Sequence, residues 1–250
     1  FHQSAEFCGT CHKVHLPVEL NGYKWLRGQN HYDAFRLSGV SGHGITSFYY
    51  PPKAQTNCNG CHMPLEETGP GVNFGADDFA GDGRSLGHNH QFLGANTGIL
   101  HLNRDKMPDA DAAIEAHREF NEGVMRVDLF GLREEGRIDG ELIAPLRPEV
   151  PEVEPGSTWL LETVIRTVKM GHVFTQGTSD SNEVWLEVTV FDGERELWKS
   201  GGMDEFGAVD PWAHFVNAFV IDRDGNRIDR RNAEDIYIPL YNHQIPPGAA

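Results

Sequence analysis

The chain has four cysteines, and all of them fall in two units of one form: Cys8-Gly9-Thr10-Cys11-His12 and Cys58-Asn59-Gly60-Cys61-His62. Two thiols three residues apart sit one turn from each other, and an imidazole follows at the next position. That set can form two thioethers to the vinyl groups of one porphyrin while the histidine ligates its iron from the proximal side. The reading is c-type haem attachment, twice. Cys8, Cys11 and His12 serve one haem, and Cys58, Cys61 and His62 the other. Two rival chemistries fit less well. A redox dithiol asks for a βαβ setting, which the flanking sequence lacks. A four-thiol zinc site asks for closer spacing than the 46 residues between Cys11 and Cys58, and it gives no reason for a histidine after each pair.

Each iron then needs a sixth ligand, or keeps an open face for chemistry. The chain has 13 histidines. His90, in HNHQFLGANT, and His172, in GHVFTQGTSD, are the preferred distal ligands, because glycines nearby let backbone approach a flat macrocycle and an aromatic follows two residues on. His43 and His31, between the two motifs, come next. His15 lies too near His12 to bind the same iron but could reach a neighbouring one. Met63 adjoins His62 and cannot turn back to its iron. His117, in the polar run DAAIEAHREF, reads as an exposed helical residue. If one iron is open, Arg27, Arg36, Arg84, Tyr49 and Tyr50 are polar side chains that could stand over it.

The elements that must position these groups divide the chain in three. Residues 1–108 show little periodicity and many glycines. They read as a loop-rich dihaem module whose core is the haems themselves. Short helices follow each CxxCH, a helix covers 22–37 with Trp25, Tyr32 and Phe35 on its apolar face, and 69–98 is loop. Residues 109–123 read as one connecting helix, with Asp109 or Asp111 as cap and Gly123 just past its end. Residues 124–250 change to alternating runs, with hairpin turns at Asp192-Gly193 and Asp224-Gly225. Several short strands at such intervals predict an antiparallel β-sandwich, giving an α+β chain overall. The last run, IPLYNHQIPPGAA, reads as a sheet left incomplete at its C-terminal edge, open to self-assembly or strand donation. Asp77, Asp78 and Asp82 form a candidate Ca2+ loop. Asp222-Arg223-Asp224-Gly225-Asn226 imitates part of an EF-hand but reads better as a turn.

Charge narrows the partners. There are 21 basic and 37 acidic side chains, a net of −16, which excludes nucleic acid as a natural partner. No run approaches the roughly 18 apolar residues of a membrane span. The chain starts at Phe1 with no signal-like segment, and reads as a processed or excised piece.

Together, EFCGTCHKVHLP, NCNGCHMPL, HNHQFLGANT and GHVFTQGTSDSNEVWLEVTVFD resemble bacterial multihaem c-type cytochromes. In these, CxxCH modules related to the tetrahaem cytochromes of nitrifying bacteria precede a β-sandwich. The resemblance implies electron transfer through closely spaced, mostly bis-histidine haems, in the periplasm or outside the cell. It implies partners that are other redox proteins or further haem modules. It also matches His90 and His172 to distal-ligand segments. The alternative is a haem oxidoreductase with one open iron, acting on peroxide or small nitrogen compounds.

Overall fold

The computed structural model describes residues 2–15, 17–21, 27–48, 52–68, 77–78, 81–177, 182–228 and 232–248. Trp25, Tyr49 and Tyr50, and much of the 69–80 stretch, lie outside them, as does the side chain of Arg27.

The first part is built twice on one plan. Helix α1 (Ala5–His12) starts on a Ser4 cap, whose hydroxyl accepts from the Phe7 amide at 3.3 Å, and ends on the first motif's histidine. Strand β1 (Lys13–His15) follows at once. After α2 (Val18–Asn21), strand β2 (Arg27–Asn30) returns antiparallel to β1, and α3 (His31–Leu37) begins directly after it. In the second copy, α4 (Asn59–His62) ends on the second motif's histidine. It leads into β3 (Leu65–Glu67), which pairs antiparallel with β4 (Leu86–His88). The sequence reading therefore needs three corrections. Helices also end on the CxxCH histidines themselves, α1 on His12 and α4 on His62, with α2 the short helix expected after the first motif. Residues 27–30 of the expected 22–37 helix are strand, because they complete a ladder with β1. Residues 86–88 of the expected loop are strand for the same reason, against β3.

Helix α5 (Gly98–Leu102) leads to α6 (Ala110–Asn121), the expected connecting helix, with Asp109 at its N-cap position and Gly123 beyond its end at φ +68°. Its apolar side carries Ala110, Ile114 and His117. His117 is buried at 5% exposure, correcting the expectation of a solvent-facing residue.

From here the chain is antiparallel strand in small sheets. β5 (Met125–Glu134) is the centre of the longest ladder, between β6 (Leu142–Ile143) and β7 (Trp159–Thr167). Its register sets Arg126 directly opposite Arg166, a repulsive pairing. Asp128 relieves it, taking Arg126 Nε at 2.7 Å and Arg166 Nε at 3.3 Å. The run EVWLEVTVFD breaks in two. β8 (Trp185–Leu186) pairs with β11 (His214–Phe215), while β9 (Val188–Asp192) pairs with β10 (Arg195–Ser200) across the expected turn. β12 (Ala218–Ile221) lies between β13 (Arg227–Ile228) and β14 (Ile238–Asn242). At the second expected hairpin, Asp222 accepts the amides of Asp224 and Asn226 at 2.9 and 2.8 Å, so its carboxylate is occupied in closing a turn. The fold is α+β with short helices and antiparallel strands.

The apolar core is thin. In the first part it is Ala5, Phe35 and Val40, with Tyr32 and Cys58 packed against them. Among the described residues, no helix is long and apolar enough to cross a membrane.

Candidate functional site

Register places the first pair of imidazoles. His12 immediately precedes β1 and His31 immediately follows β2, and Lys13 faces Asn30 in the ladder. The two histidines therefore emerge side by side at the end of one hairpin. Their Nδ1 atoms lie 3.4 Å apart and their ring centres 5.0 Å apart. Gly9, between the first two cysteines, lets α3 come this close: a Cβ there would sit 2.8 Å from the Tyr32 ring.

The second motif receives its neighbour from further along the chain. Beyond β7, Gly171 docks on the first part. Its carbonyl accepts from Ser38 Oγ at 3.1 Å, and a Cβ on it would meet Phe35 at 3.4 Å. His172 follows and lies between the two motifs. Its ring centre is 5.1 Å from that of His31 and 6.1 Å from that of His62, parallel to the latter within 9°. The tail after β14 clamps this loop. Phe174 and Ile245 form a bridge, and Gln244 donates to the Thr175 carbonyl. Four imidazoles thus form one cluster, linked in the order His12, His31, His172, His62.

Each outer partner fixes a tautomer. His62 Nδ1 donates to the Leu93 carbonyl at 2.5 Å, and His172 Nδ1 donates to the Val173 carbonyl at 3.1 Å. In both rings Nε2 is left with its lone pair, the form that ligates a metal. Burial, with the neighbouring imidazoles adding to it, pushes His31 down to about 3 and His172 to about 4. Burial lowers His12 too, with His62 contributing. His12, His31 and His172 are therefore held as neutral imidazoles at ordinary pH.

Two of the thiols are shifted as well. All four are free. Burial, reinforced by Cys8, pushes Cys58 up to about 12, and burial raises Cys61 as well. Cys8 Sγ reaches Asn59 Oδ1 at 3.9 Å, so the two motifs are neighbours. Cys58 and Cys61 are thereby held as protonated thiols at ordinary pH.

Three buried polar atoms near this cluster have no partner among the described residues: Asn30 Oδ1, Thr175 Oγ1 and Gln176 Oε1. They belong to residues within four positions of His31 or His172. A cavity of about 540 Å³ also opens nearby, lined by Thr97, His117, Arg118, Asn121 and Phe174 among others. Its size suits a bound organic group. Among the described residues, no group of three or more His, Cys, Asp or Glu side chains could by itself hold a metal ion.

The other sequence candidates lie elsewhere. His90 is exposed, with its ring against Phe92. His43 Nε2 is 2.9 Å from Arg36 Nη1, and that guanidinium also pairs with Glu6. Arg84 is engaged by Asp82 and Glu67. In the acidic loop Asp78 accepts the amides of Asp82 and Gly83, at 2.9 and 2.8 Å, and Asp82 holds Arg84. Those carboxylates already have internal work. Sequence reasoning missed the role of the Leu93-Gly94 turn, which orients His62 and is itself held by His117 Nδ1, 2.8 Å from the Gly94 carbonyl. The signal was there in the spacing of Ala110, Ile114 and His117 on one helical face. No family model, curated protein or solved structure matches this chain.

Proposed function

We propose that the chain is an electron-transfer module of the multihaem c-type cytochrome kind, holding two haems through its two CxxCH motifs. His12 and His31 would hold the first iron, and His62 and His172 the second. The observation that carries this reading is the clustering of four imidazoles, each within about 6 Å of the next, beside two helix-ending CxxCH turns. When bound, the two irons supply one-electron couples, exchanged with other redox proteins or further haem modules.

The chain's own residues do the rest. Cys8 and Cys11, and Cys58 and Cys61, tether. His12 and His62 ligate from the side of their own helices. The Leu93 carbonyl keeps the His62 ring from turning, and the Val173 carbonyl does the same for His172. The 171–177 loop, pinned by the tail, holds His172 between the two motifs. The nearly parallel His62 and His172 rings, 6.1 Å apart, would hold one iron. The His12 and His31 rings, which face each other through Nδ1, would turn to present Nε2 to the other. With two imidazoles given to each iron, the chain would act as a carrier rather than a catalyst.

Residues 124–250 are read as a β-sandwich that docks the carrier in a larger assembly outside the cytoplasm. Its strand β14 pairs with β12 alone among the described strands and offers the other edge.

Intact mass and a pyridine haemochrome spectrum test the attachment. Two haems per chain and no thiol reactive toward iodoacetamide are expected. Four alkylatable thiols in protein matured in a haem-attaching host would overturn the reading. Reduced spectra unchanged by carbon monoxide are expected for a carrier, and a carbon monoxide shift would favour the open-iron alternative.

A further inference from the structure

A second imidazole pair lies on the strand-rich part, away from the cysteines. His214 opens β11, and His243 follows β14. Their ring centres are 5.6 Å apart, tilted by 46°. Both rings line a cavity of about 620 Å³, together with Thr163, Leu186, Gln244 and Pro246. We infer that His214 and His243 form a binding site for a divalent transition metal, Zn2+ by preference, with the remaining positions filled by water or an incoming ligand.

The His243 ring is fixed in one tautomer. Tyr241 has one phenolic proton, and its oxygen lies 2.7 Å from the Phe215 carbonyl, which can only accept. The proton goes there. Toward His243 Nδ1, at 2.9 Å, the phenol oxygen must then accept, so Nδ1 carries the ring's hydrogen. His243 Nε2 is left with its lone pair exposed. This is the arrangement that prepares a histidine for a metal, with the far nitrogen donating to a fixed oxygen.

The ring is also held mechanically. Tyr241 stacks on His243 with centres 4.2 Å apart, and the His243 amide donates to the Asn217 carbonyl at 2.9 Å. Asn217 is fully buried and its side chain accepts the Val184 amide, so it is a rigid anchor between the sheets. Two imidazoles on a tetrahedral ion have ring centres roughly 5 Å apart, from bonds of about 2.0 Å. The observed 5.6 Å is within a side-chain adjustment of that. Square-planar cis ligation brings the centres closer still, which is why Zn2+ is preferred to Cu2+. No third His, Cys, Asp or Glu completes the set among the described residues, so the ion would keep open positions.

The test is calorimetric titration of the purified protein with Zn2+, any free thiols first blocked with iodoacetamide. Wild type is expected to show one site that the double variant His214→Asn/His243→Asn lacks. Tyr241→Phe is expected to weaken that site about tenfold while keeping its stoichiometry, since both ligands stay and only the orienting oxygen goes. Thermal melting of each variant without metal confirms that it is folded. Equal Zn2+ binding by wild type and a folded double variant would overturn the inference, because the bound metal would then sit on scattered surface histidines. The site is read as the difference between wild type and the double variant, so Zn2+ taken up by the His12–His31–His172–His62 cluster of haem-free chain is common to both and the result does not depend on the haem count.

Discussion

The two CxxCH units follow one plan and diverge at one point. Each ends a short helix on its histidine, enters a short strand and meets a returning antiparallel strand. In the first unit the residue after the returning strand is His31, and it lands beside His12. In the second unit the returning strand pairs one residue out of step. Leu65 faces His88, the Asn89 amide reaches the Pro64 carbonyl, and His90 points to solvent. The place that His31 takes in the first unit is taken in the second by His172, brought from beyond β7. A register difference of this kind decides whether a unit is self-sufficient or depends on the rest of the chain. The surroundings of His62 are therefore coupled to the folding of the strand-rich part, and those of His12 are largely local.

The largest expected effect breaks one unit outright. Cys58→Ser/Cys61→Ser should reduce the haemochrome stoichiometry from two to one per chain, leaving the first unit loaded. Loss of both groups would mean that the units do not fold separately enough for the comparison to hold.

The next effect concerns the Leu93-Gly94 turn, which only the second unit uses. His117→Ala removes a buried partner of the Gly94 backbone. It should lower unfolding stability by about 1–3 kcal/mol in urea titrations. It should also broaden the spectral signature of the second site more than the first. Equal broadening would argue against the turn as the orienter of His62.

Acid provides a smaller and separable contrast. In haem-free chain, His31 and His172 titrate in the folded state near 3 and 4, below the 6.5 of an unperturbed imidazole. The unfolded chain therefore binds protons that the folded site excludes. Stability is full above about pH 6.5 and declines as pH falls toward 4. The strand-rich part responds later. Asp128, beside Arg126 and Arg166, and Asp222, capped by Asn226, titrate below the usual 3.8. Their contribution is present above that value and is lost only as pH falls through it. Melting midpoints from pH 7 to 3 should fall first in the upper window. A midpoint flat down to pH 4 would contradict the burial of the two rings.

The smallest effect is in the ladder. Arg133 and Glu162 pair across β5 and β7, half-exposed. Arg133→Met should cost about 0.2–1 kcal/mol and leave the spectra of both sites unchanged.

The motifs were more legible in the sequence than the architecture around them. Cys8, Cys11, Cys58 and Cys61 stand out because a histidine follows each pair at the same spacing. Asp192-Gly193 and Asp224-Gly225 were legible because local turn chemistry closes those hairpins, and α6 was legible from its caps and period. The histidines set beside His12 and His62 were less so. His31 and His90 both follow polar runs with a glycine three residues back, and what separates them is a one-residue register that no local preference fixes. His172 was singled out from its glycine and aromatic neighbours. Its position between the two motifs comes from Gly171 docking on Phe35 and from the tail at Ile245, contacts far apart in the chain. His117 was misread because its neighbours are charged, although its helical phase put it on the buried side.

The most direct test of the account is the reduced absorption spectrum of His172→Ala under carbon monoxide, with His90→Ala beside it. The account predicts that one of the two haems in His172→Ala becomes high-spin and shifts with carbon monoxide, while His90→Ala behaves as wild type. A shift in His90→Ala with none in His172→Ala would contradict the axial pairing of His62 with His172.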